Sequence, residues 1–285
     1  MKIRDVLENH ELVIAPGAYD TISARIIEKA GFPIVYLTGL GNEASDLGCP
    51  DLGLTTSTEL VRRASNITQC VQVPVVCDAD TGFGSVLNLH RTIRMFEAIG
   101  VGAIQIEDQT FPKRCGILAG KKVISSEAFA KKIRAAVDSR GNPDFLIIAR
   151  TDAKPTSGLQ DVIQRLNHYI ENGADMGMLG DFYTMDEYKR IVKEVQAPII
   201  AIASCHDKFG IQPDISVNDW KKIGVKMVVY WHLPLFAAMK AVTTVVEELK
   251  KSGTTSQLKE SVFTYSDYER VVNVSKWLEF DKKFG

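Results

Sequence analysis

Short apolar runs and longer amphipathic segments alternate along the chain in a repeating order. The short runs are often apolar on both faces, as are the strands of a parallel sheet that is covered by helices. Eight of these runs predict strands: Leu12–Ala15, Ile34–Thr38, Val75–Asp78, Ala103–Glu107, Phe145–Arg150, Asp175–Leu179, Ile199–Ala203 and Lys226–Tyr230.

The segments between these runs predict helices. They are Thr21–Ala30, Ser57–Gln69, Ser85–Ile99, Ser126–Ser139, Gly158–Asn172, Thr184–Val195, Val217–Lys222 and Pro234–Ser252. A glycine one or two residues before the next strand is typical of a helix C-cap followed by a short loop. Four of the helices end in this way, at Gly31, Gly100, Gly173 and Gly224.

Eight strand–helix units in 285 residues indicate a closed (β/α)8 barrel of the TIM type. An open, doubly wound sheet is the alternative, but it needs a glycine-rich phosphate loop after the first strand, and residues 15–20 (APGAYD) match GxGxxG poorly. The tail Tyr265–Phe284 has helical periodicity. We therefore expect a single barrel domain over residues 1–285, with a C-terminal helical extension at about 254–285.

Composition excludes several classes of partner. Hydrophobic residues make up 45% of the chain, charged residues 24%, and the net charge is −1, so there is no electrostatic case for binding nucleic acid or a membrane surface. The longest apolar runs are too short to cross a bilayer. The five cysteines are an odd number without CxxC spacing, which argues against a disulfide framework or a structural zinc site. We expect a cytoplasmic protein whose partner is a small molecule.

Candidate catalytic groups lie where a barrel carries them, at the carboxyl ends of strands. Asp78 and Asp80 follow the third predicted strand, and Glu107 ends the fourth. Since side chains alternate along a strand, Asp78 and Asp80 are expected to point the same way, into the mouth of the barrel. Three converging carboxylates repel one another unless a cation lies between them, and oxygen ligands suit Mg²⁺ or Mn²⁺. Helix capping or a salt bridge is the alternative role for each acid.

Two further segments carry positive charge near this mouth. The loop after the fourth strand contains Lys113, Arg114 and Cys115, followed by Gly116. Neighbouring cations favour a thiolate or a readily exchanged proton on the cysteine, and they could also bind a substrate carboxylate. A solvated basic loop with a passive cysteine is the alternative. Arg150 ends the apolar fifth strand, where burial requires an anionic partner, either structural or a substrate.

Together these segments closely resemble the isocitrate lyase/phosphoenolpyruvate mutase superfamily. The resemblance runs in order from about Val13 to Val246, and the small lyases similar to 2-methylisocitrate lyase and 2,3-dimethylmalate lyase are nearest. The segments that carry it are Tyr36-Leu-Thr-Gly39, Pro50-Asp51-Leu-Gly53, Asp78-Ala-Asp80-Thr-Gly-Phe-Gly84, Ile106-Glu107-Asp108-Gln109, Lys113-Arg114-Cys115-Gly116, Ala149-Arg150-Thr-Asp152-Ala153 and Gly173-Ala-Asp175.

The resemblance implies how a metal and an oxo acid are bound. Asp78, Asp80 and Glu107 match the metal site of the family, which holds Mg²⁺ partly through water. Thr38 and Gly39 match the loop whose backbone amides hold the carboxylate of the α-oxo acid. The family also forms tetramers in which a C-terminal helix is swapped between subunits, so the resemblance implies a homotetramer here.

The resemblance also implies catalytic roles. Asp51 matches a gating-loop aspartate near the metal, and Arg150 matches the substrate-binding arginine. The segment Lys113–Gly116 matches the mobile loop of the lyases, in which Cys115 is the general acid. Tyr36 matches the tyrosine proposed as the base toward the 2-hydroxyl of the substrate.

Three positions depart from the lyase pattern and bear on the substrate. Ile117 stands where the lyase loop continues with histidine, Gly180 where a glutamate follows strand six, and Ile202 where an asparagine follows strand seven. These changes predict a substrate with fewer carboxylates or with a hydrophobic substituent, and they disfavour tricarboxylic methylisocitrate. His206 and Asp207, just after strand seven, could compensate.

The favoured hypothesis is a Mg²⁺-dependent carbon–carbon lyase. It would act on a substituted malate or a related 2-hydroxy acid and release an α-oxo acid such as pyruvate. Such a cleavage needs a base, a cation and an acid, which Tyr36, Mg²⁺ and Cys115 could supply. The alternatives are an oxaloacetate-type decarboxylase or hydrolase, a phosphonopyruvate mutase or hydrolase, suggested by Thr110-Phe-Pro-Lys113, and a non-catalytic metal-binding barrel.

Overall fold

Eight parallel strands close into a barrel in the computed structural model, which describes residues 1–205 and 210–285. Each strand pairs with its neighbours in chain order, and β8 pairs with β1. The predicted (β/α)8 architecture is confirmed. The strands are β1 Val13–Ala18, β2 Val35–Leu37, β3 Val75–Asp78, β4 Ala103–Glu107, β5 Leu146–Thr151, β6 Met176–Leu179, β7 Ile199–Ile202 and β8 Met227–Tyr230.

Helices surround the barrel, and additional helices precede the first strand and follow the last strand–helix unit. They are α1 Ile3–Asn9, α2 Thr21–Lys29, α3 Gly39–Asn42, α4 Ser57–Cys70, α5 Val86–Ala98, α6 Ser126–Ser139, α7 Lys154–Glu171, α8 Met185–Glu194, α9 Val217–Ile223, α10 Leu233–Ser252, α11 Tyr265–Val272 and α12 Val274–Phe284. A π-helical turn, Glu43–Leu47, continues α3, and a 3₁₀ turn, Lys259–Ser261, precedes α11.

Most boundaries follow the predicted pattern. The four glycines predicted to cap helices all have a positive φ, between 79° and 99°. The first strand runs three residues further than predicted, through Pro16 and Gly17. These two residues are usually strand breakers, but Gly17 is needed here because a Cβ at this position would lie 2.5 Å from Cγ2 of Thr38. The strand therefore continues to the rim of the mouth.

The barrel interior is a packed apolar core and not a channel. Its side chains come from all eight strands and include Val13, Tyr36, Val76, Ala103, Ile148, Met176, Ile200 and Met227. Helix α1, which the pattern did not predict, contributes Ile3, Val6 and Leu7 to the same cluster. A functional cavity is thereby restricted to the end of the barrel where the strands finish.

The C-terminal tail forms two helices instead of the single predicted one. Asn273 separates α11 from α12 with a left-handed φ of 58°, a conformation that asparagine tolerates better than most residues. Nζ of Lys29 donates to Oδ1 of Asn273 at 3.2 Å, which ties this turn to α2. Within the described part of the chain, no helix combines the length and apolar character that a membrane crossing requires.

Candidate active site

A small cavity lies at the carboxyl ends of the strands. Its volume is about 30 Å³, room for about two water molecules, so the mouth is nearly closed. Eight of the residues predicted from the sequence line it, and they come from distant parts of the chain: Tyr36, Thr38, Gly39, Asp51, Asp78, Cys115, Gly116 and Arg150. The lining also includes residues that were not predicted: Leu40, Met178 and Trp231.

The carboxylates of Asp78 and Asp80 converge on Gly39. A Cβ on Gly39 would lie 3.0 Å from Oδ2 of Asp78 and 3.3 Å from Oδ1 of Asp80. The physical reason differs from the predicted strand alternation, because β3 ends at Asp78 and Asp80 lies in a left-handed turn with a φ of 48°. The turn, and not the pleat, brings Asp80 to the mouth.

Lys113 lies inside this carboxylate cluster. Its side chain is buried, and Nζ is 2.6 Å from Oδ1 of Asp80 and also pairs with Asp51. Burial alone would lower the pKa of Lys113, but the carboxylates of Asp80 and Asp51 outweigh it and raise the pKa well above its ordinary value. Lys113 is thus a charged ammonium group that holds the loop after β4 against the loop after β2.

Arg150 is fixed at three points of its guanidinium group. Nε and Nη2 donate to the two carboxylate oxygens of Asp152, at 2.9 and 3.0 Å. The remaining nitrogen, Nη1, is 3.2 Å from Oε2 of Glu107 and 3.9 Å from Oδ2 of Asp78. Asp152 also accepts from Nζ of Lys121 at 3.0 Å. Lys121 was not predicted as a site residue, and its contact with Asp152 joins the segment after β4 to the end of β5.

The residues present fit a divalent cation with oxygen ligands. Oδ1 of Asp80 and Oε2 of Glu107 are buried and accept no hydrogen bond, only the ion pairs with Lys113 and Arg150. Burial raises the pKa of Asp80 to about 7, Lys113 opposes this shift, and Asp78 adds to it. In residues 1–205 and 210–285, no group of three or more His, Cys, Asp or Glu side chains is arranged to hold a metal unaided.

Tyr36 is buried beneath the cavity. Its hydroxyl donates to Oε1 of Gln105 at 2.8 Å. Burial first, and then the charge of Asp78, raise its pKa well above the ordinary value. Tyr36 is therefore a neutral phenol in this arrangement. Gln105 was not predicted, but a glutamine inside the apolar strand β4 is the kind of signal that could have identified it.

Cys115 is a buried thiol, and of the two states that the sequence left open, a thiolate or a thiol with a readily exchanged proton, the thiolate is not supported. Burial, followed by the charge of Asp51, raises its pKa to about 12. The neighbouring cations do not compensate. Lys113 is paired with two carboxylates, and the exposed Arg114 donates from Nη1 to the carbonyl oxygen of Ala119 at 2.9 Å. Arg114 thus does not line the cavity. Cys115 does line it, as a protonated thiol.

The opposite wall of the cavity is apolar. Met178, Ile202 and Trp231 line it, and Ile117 packs against the same apolar cluster. No side chain fits at Gly180, because a Cβ there would lie 2.5 Å from Cγ of Asp152. His206 and Asp207, which could have added polar groups, lie outside the described residues.

The phosphoenolpyruvate phosphomutase family model matches residues 3–250 of the chain. The match covers most of its length, and the chain belongs to this family. The resemblance to the isocitrate lyase/phosphoenolpyruvate mutase superfamily that the sequence motifs indicated is thereby confirmed.

Individual relatives agree with this assignment. A 2,3-dimethylmalate lyase of Eubacterium barkeri is 38% identical over 284 residues, which cover 100% of this chain and 97% of the relative. A 2-methylisocitrate lyase of Aeropyrum pernix is 39% identical over 277 residues, 94% of this chain and 88% of the relative. The structure of an oxaloacetate acetylhydrolase with the inhibitor 3,3-difluorooxalacetate superposes with a TM-score of 0.92 at 32% identity, covering 99% of this chain and 95% of that one.

Proposed function

We propose that the protein is a Mg²⁺-dependent carbon–carbon lyase that cleaves a substituted malate, or a related 2-hydroxy acid with an apolar substituent, and releases an α-oxo acid. One observation carries the proposal. The buried thiol of Cys115, whose pKa is raised to about 12 by burial, lines the same cavity as Arg150 and Asp78, which suit an oxo acid and a cation. A carbanion leaving group needs such a proton donor.

The α-oxo acid end of the substrate would lie on the β2–β5 side. Arg150 is held rigidly by Asp152 and presents a charged group that suits a carboxylate. Gly39 and Leu40 line the cavity in the first turn of α3, where backbone N–H groups have no acceptor within the helix. Asp78, Asp80 and Glu107 would hold Mg²⁺, which when bound supplies positive charge for the developing oxo-acid oxygens.

The proton transfers would fall to Tyr36 and Cys115. Tyr36 lines the cavity and would contact the 2-hydroxyl group of the substrate. Burial first, and then the charge of nearby carboxylates, raise the pKa of Tyr36, so its role as a base requires positive charge close to its hydroxyl in the loaded site. Cys115 starts as a thiol and would deliver its proton to the carbon from which the oxo acid departs.

The departing half of a substituted malate carries one carboxylate, which would turn toward Arg150, while its alkyl substituent would face Met178, Ile202 and Trp231. This wall offers no charge for a further carboxylate, and burying one there without a partner would cost several kcal/mol. An alkyl substituent would gain about 0.8 kcal/mol for each buried methylene group. A dicarboxylic substrate with an alkyl group is therefore favoured over a tricarboxylic one.

The test is an assay of α-oxo acid release with Mg²⁺ over 2,3-dimethylmalate, citramalate, methylisocitrate, oxaloacetate and phosphonopyruvate. We expect release from an alkyl-substituted malate, with the matching carboxylic acid as co-product. Faster turnover of methylisocitrate would contradict the apolar wall. Phosphate release from phosphonopyruvate, or silence over the whole panel, would contradict the lyase assignment.

Hydrolysis of oxaloacetate is the second candidate. Gly180 supports it, because the glutamate expected of the lyases at this position cannot be accommodated beside Asp152. The structural similarity to an oxaloacetate acetylhydrolase points in the same direction. Oxalate and acetate as the products from oxaloacetate would establish this activity in place of the lyase.

We also propose that the protein is a homotetramer in which the C-terminal helix is exchanged between subunits. Large apolar side chains are exposed on two helices, including Met239, Val242 and Val246 on α10 and Trp277, Leu278 and Phe280 on α12. Faces of this kind on a soluble protein mark contacts with another chain. Light scattering should give four times the mass of 31.5 kDa, and a Trp277→Asp substitution should reduce it.

A further inference from the structure

The helix that starts at the substrate end of the cavity continues into an unusual turn. Helix α3 passes directly into the π-helical turn Glu43–Leu47, which ends at Gly48 in the left-handed region. Turns of this type are rare and are frequently found at functional sites. Glu43 opens the turn and is only 1% exposed, although glutamate is almost never fully buried without partners.

The backbone of a neighbouring loop supplies these partners. Oε2 of Glu43 accepts the N–H of Leu52 at 2.8 Å. Oε1 accepts the N–H groups of Leu54 at 2.6 Å and Thr55 at 3.0 Å. The preceding residue, Asn42, donates from Nδ2 to Oγ1 of Thr55 at 3.0 Å. One buried carboxylate therefore fixes three amides of the segment 51–55, here named the aspartate loop because it begins at Asp51.

The aspartate loop in turn holds the segment that carries the thiol. The carboxylate of Asp51 pairs with Lys113, and its carbonyl oxygen accepts the N–H of Cys115 at 3.0 Å. A Cβ on Gly53 would lie 3.4 Å from Cγ of Lys113, so the two segments pack closely. Whatever fixes the aspartate loop also fixes Lys113 and Cys115.

We propose that Glu43 is a positioning residue that fixes the aspartate loop and thereby holds Asp51, Lys113 and Cys115 in the closed site. The catalytic meaning of this role rests on the proposed function, whereas the effect on the loop rests on geometry alone. A carboxylate suits the task because both of its oxygens are acceptors only. A glutamine at position 43 would replace one of the two carboxylate oxygens with an NH₂ group, a donor that would face a backbone N–H.

The first experiment measures the loop without any substrate. Glu43→Gln and Glu43→Ala are compared with Glu59→Gln, a control whose carboxylate accepts the N–H of Thr56 at 2.8 Å, just beyond the aspartate loop. We expect hydrogen exchange at Leu52, Leu54 and Thr55, and alkylation of Cys115, to accelerate by roughly tenfold or more in Glu43→Ala.

In that experiment Glu43→Gln should fall between the wild type and Glu43→Ala, and the control should match the wild type. Urea denaturation identifies variants that are globally destabilised, and Glu43→Gln serves if Glu43→Ala does not fold. Unchanged exchange in the loop, or an acceleration spread evenly over the whole chain, would overturn the proposal.

The second experiment asks whether Glu43 acts through Asp51. Turnover of the best substrate in the panel is measured for Glu43→Gln, Asp51→Asn and the double variant. We expect each single change to lower kcat by roughly tenfold, and the double variant to be no slower than Asp51→Asn. If the two reductions in kcat instead multiply in the double variant, Glu43 does not act through Asp51. An inactive wild type would refute the proposed function instead, and exchange and alkylation would still decide the role of Glu43.

Discussion

The two sides of the barrel mouth use the same kind of strand but differ in chemistry. The β2–β5 side gathers Asp78, Asp80, Glu107, Lys113 and Arg150, and each charge there has an opposite charge nearby. The β6–β8 side presents Met178, Ile202 and Trp231. In a symmetric barrel, the residues at the strand ends alone create this contrast. The contrast separates a side that suits a carboxylate and a cation from a side that suits an alkyl group.

The largest expected effect comes from removing a carboxylate of the charged side. Asp80→Ala should abolish activity, by roughly 10⁴-fold in kcat, because it removes a proposed metal ligand and an ion-pair partner of Lys113. Turnover with Mg²⁺ is the measurement, and Asp186→Ala, at an exposed carboxylate on α8, is the control. Full activity in Asp80→Ala would remove Asp80 from the metal site.

The charged side also predicts how Cys115 responds to pH. A thiol whose pKa is raised to about 12 has roughly 10³-fold less thiolate at pH 8 than an ordinary cysteine with a pKa of about 8.5. Alkylation of Cys115 by iodoacetamide should therefore be slow at pH 8 and rise about tenfold per pH unit toward pH 11. The exposed Cys205 provides the internal comparison. Fast alkylation of Cys115 near neutral pH would show that it is a thiolate after all.

Replacement of the thiol should have a smaller effect. Cys115→Ser should lower kcat by roughly 10²-fold, the lower end of the range for general acids, while leaving binding of the α-oxo acid intact. Product inhibition by pyruvate measures that binding, and Cys70→Ser, on α4, is the matched control. An unchanged rate would exclude Cys115 from the mechanism and favour decarboxylation.

The apolar side predicts the smallest change. Ile202→Asn should lower kcat/KM for an alkyl-substituted malate by roughly tenfold relative to a tricarboxylic substrate, because one apolar contact of 1–3 kcal/mol is lost. Ile202→Val keeps the wall apolar and controls for the loss of volume. Equal effects on both substrates would show that Ile202 does not determine specificity.

The alternation of apolar and polar segments was sufficient to predict the architecture. Strands β3 and β4 and helix α6 have their predicted bounds, and the four C-capping glycines have the predicted positive φ. These features follow from local physics, since burial of a strand on both faces and the steric freedom of glycine are visible in a few consecutive residues. Helix α1 was missed because its role, covering the bottom of the barrel, involves residues distant in the chain.

For the site, the sequence by itself determined which residues meet. A barrel brings all strand ends to one mouth, so Tyr36, Asp78, Cys115 and Arg150 had to lie close together once the strands were located. The sequence did not determine the protonation states of these residues. Whether Cys115 is a thiol or a thiolate depends on its burial and on which carboxylates form ion pairs with Lys113. Both depend on how the loops pack against each other.

The tertiary structure alone decided how those residues are held. Asp80 reaches the mouth through a left-handed turn, Arg150 is aimed by Asp152, and Glu43 fixes a loop that follows it by nine to twelve residues. None of these contacts has a periodic pattern in the sequence. The contacts of Arg150 and Glu43 are hydrogen bonds and ion pairs, whose free energy depends on distance, direction and the exclusion of water, quantities that exist only after the chain has folded.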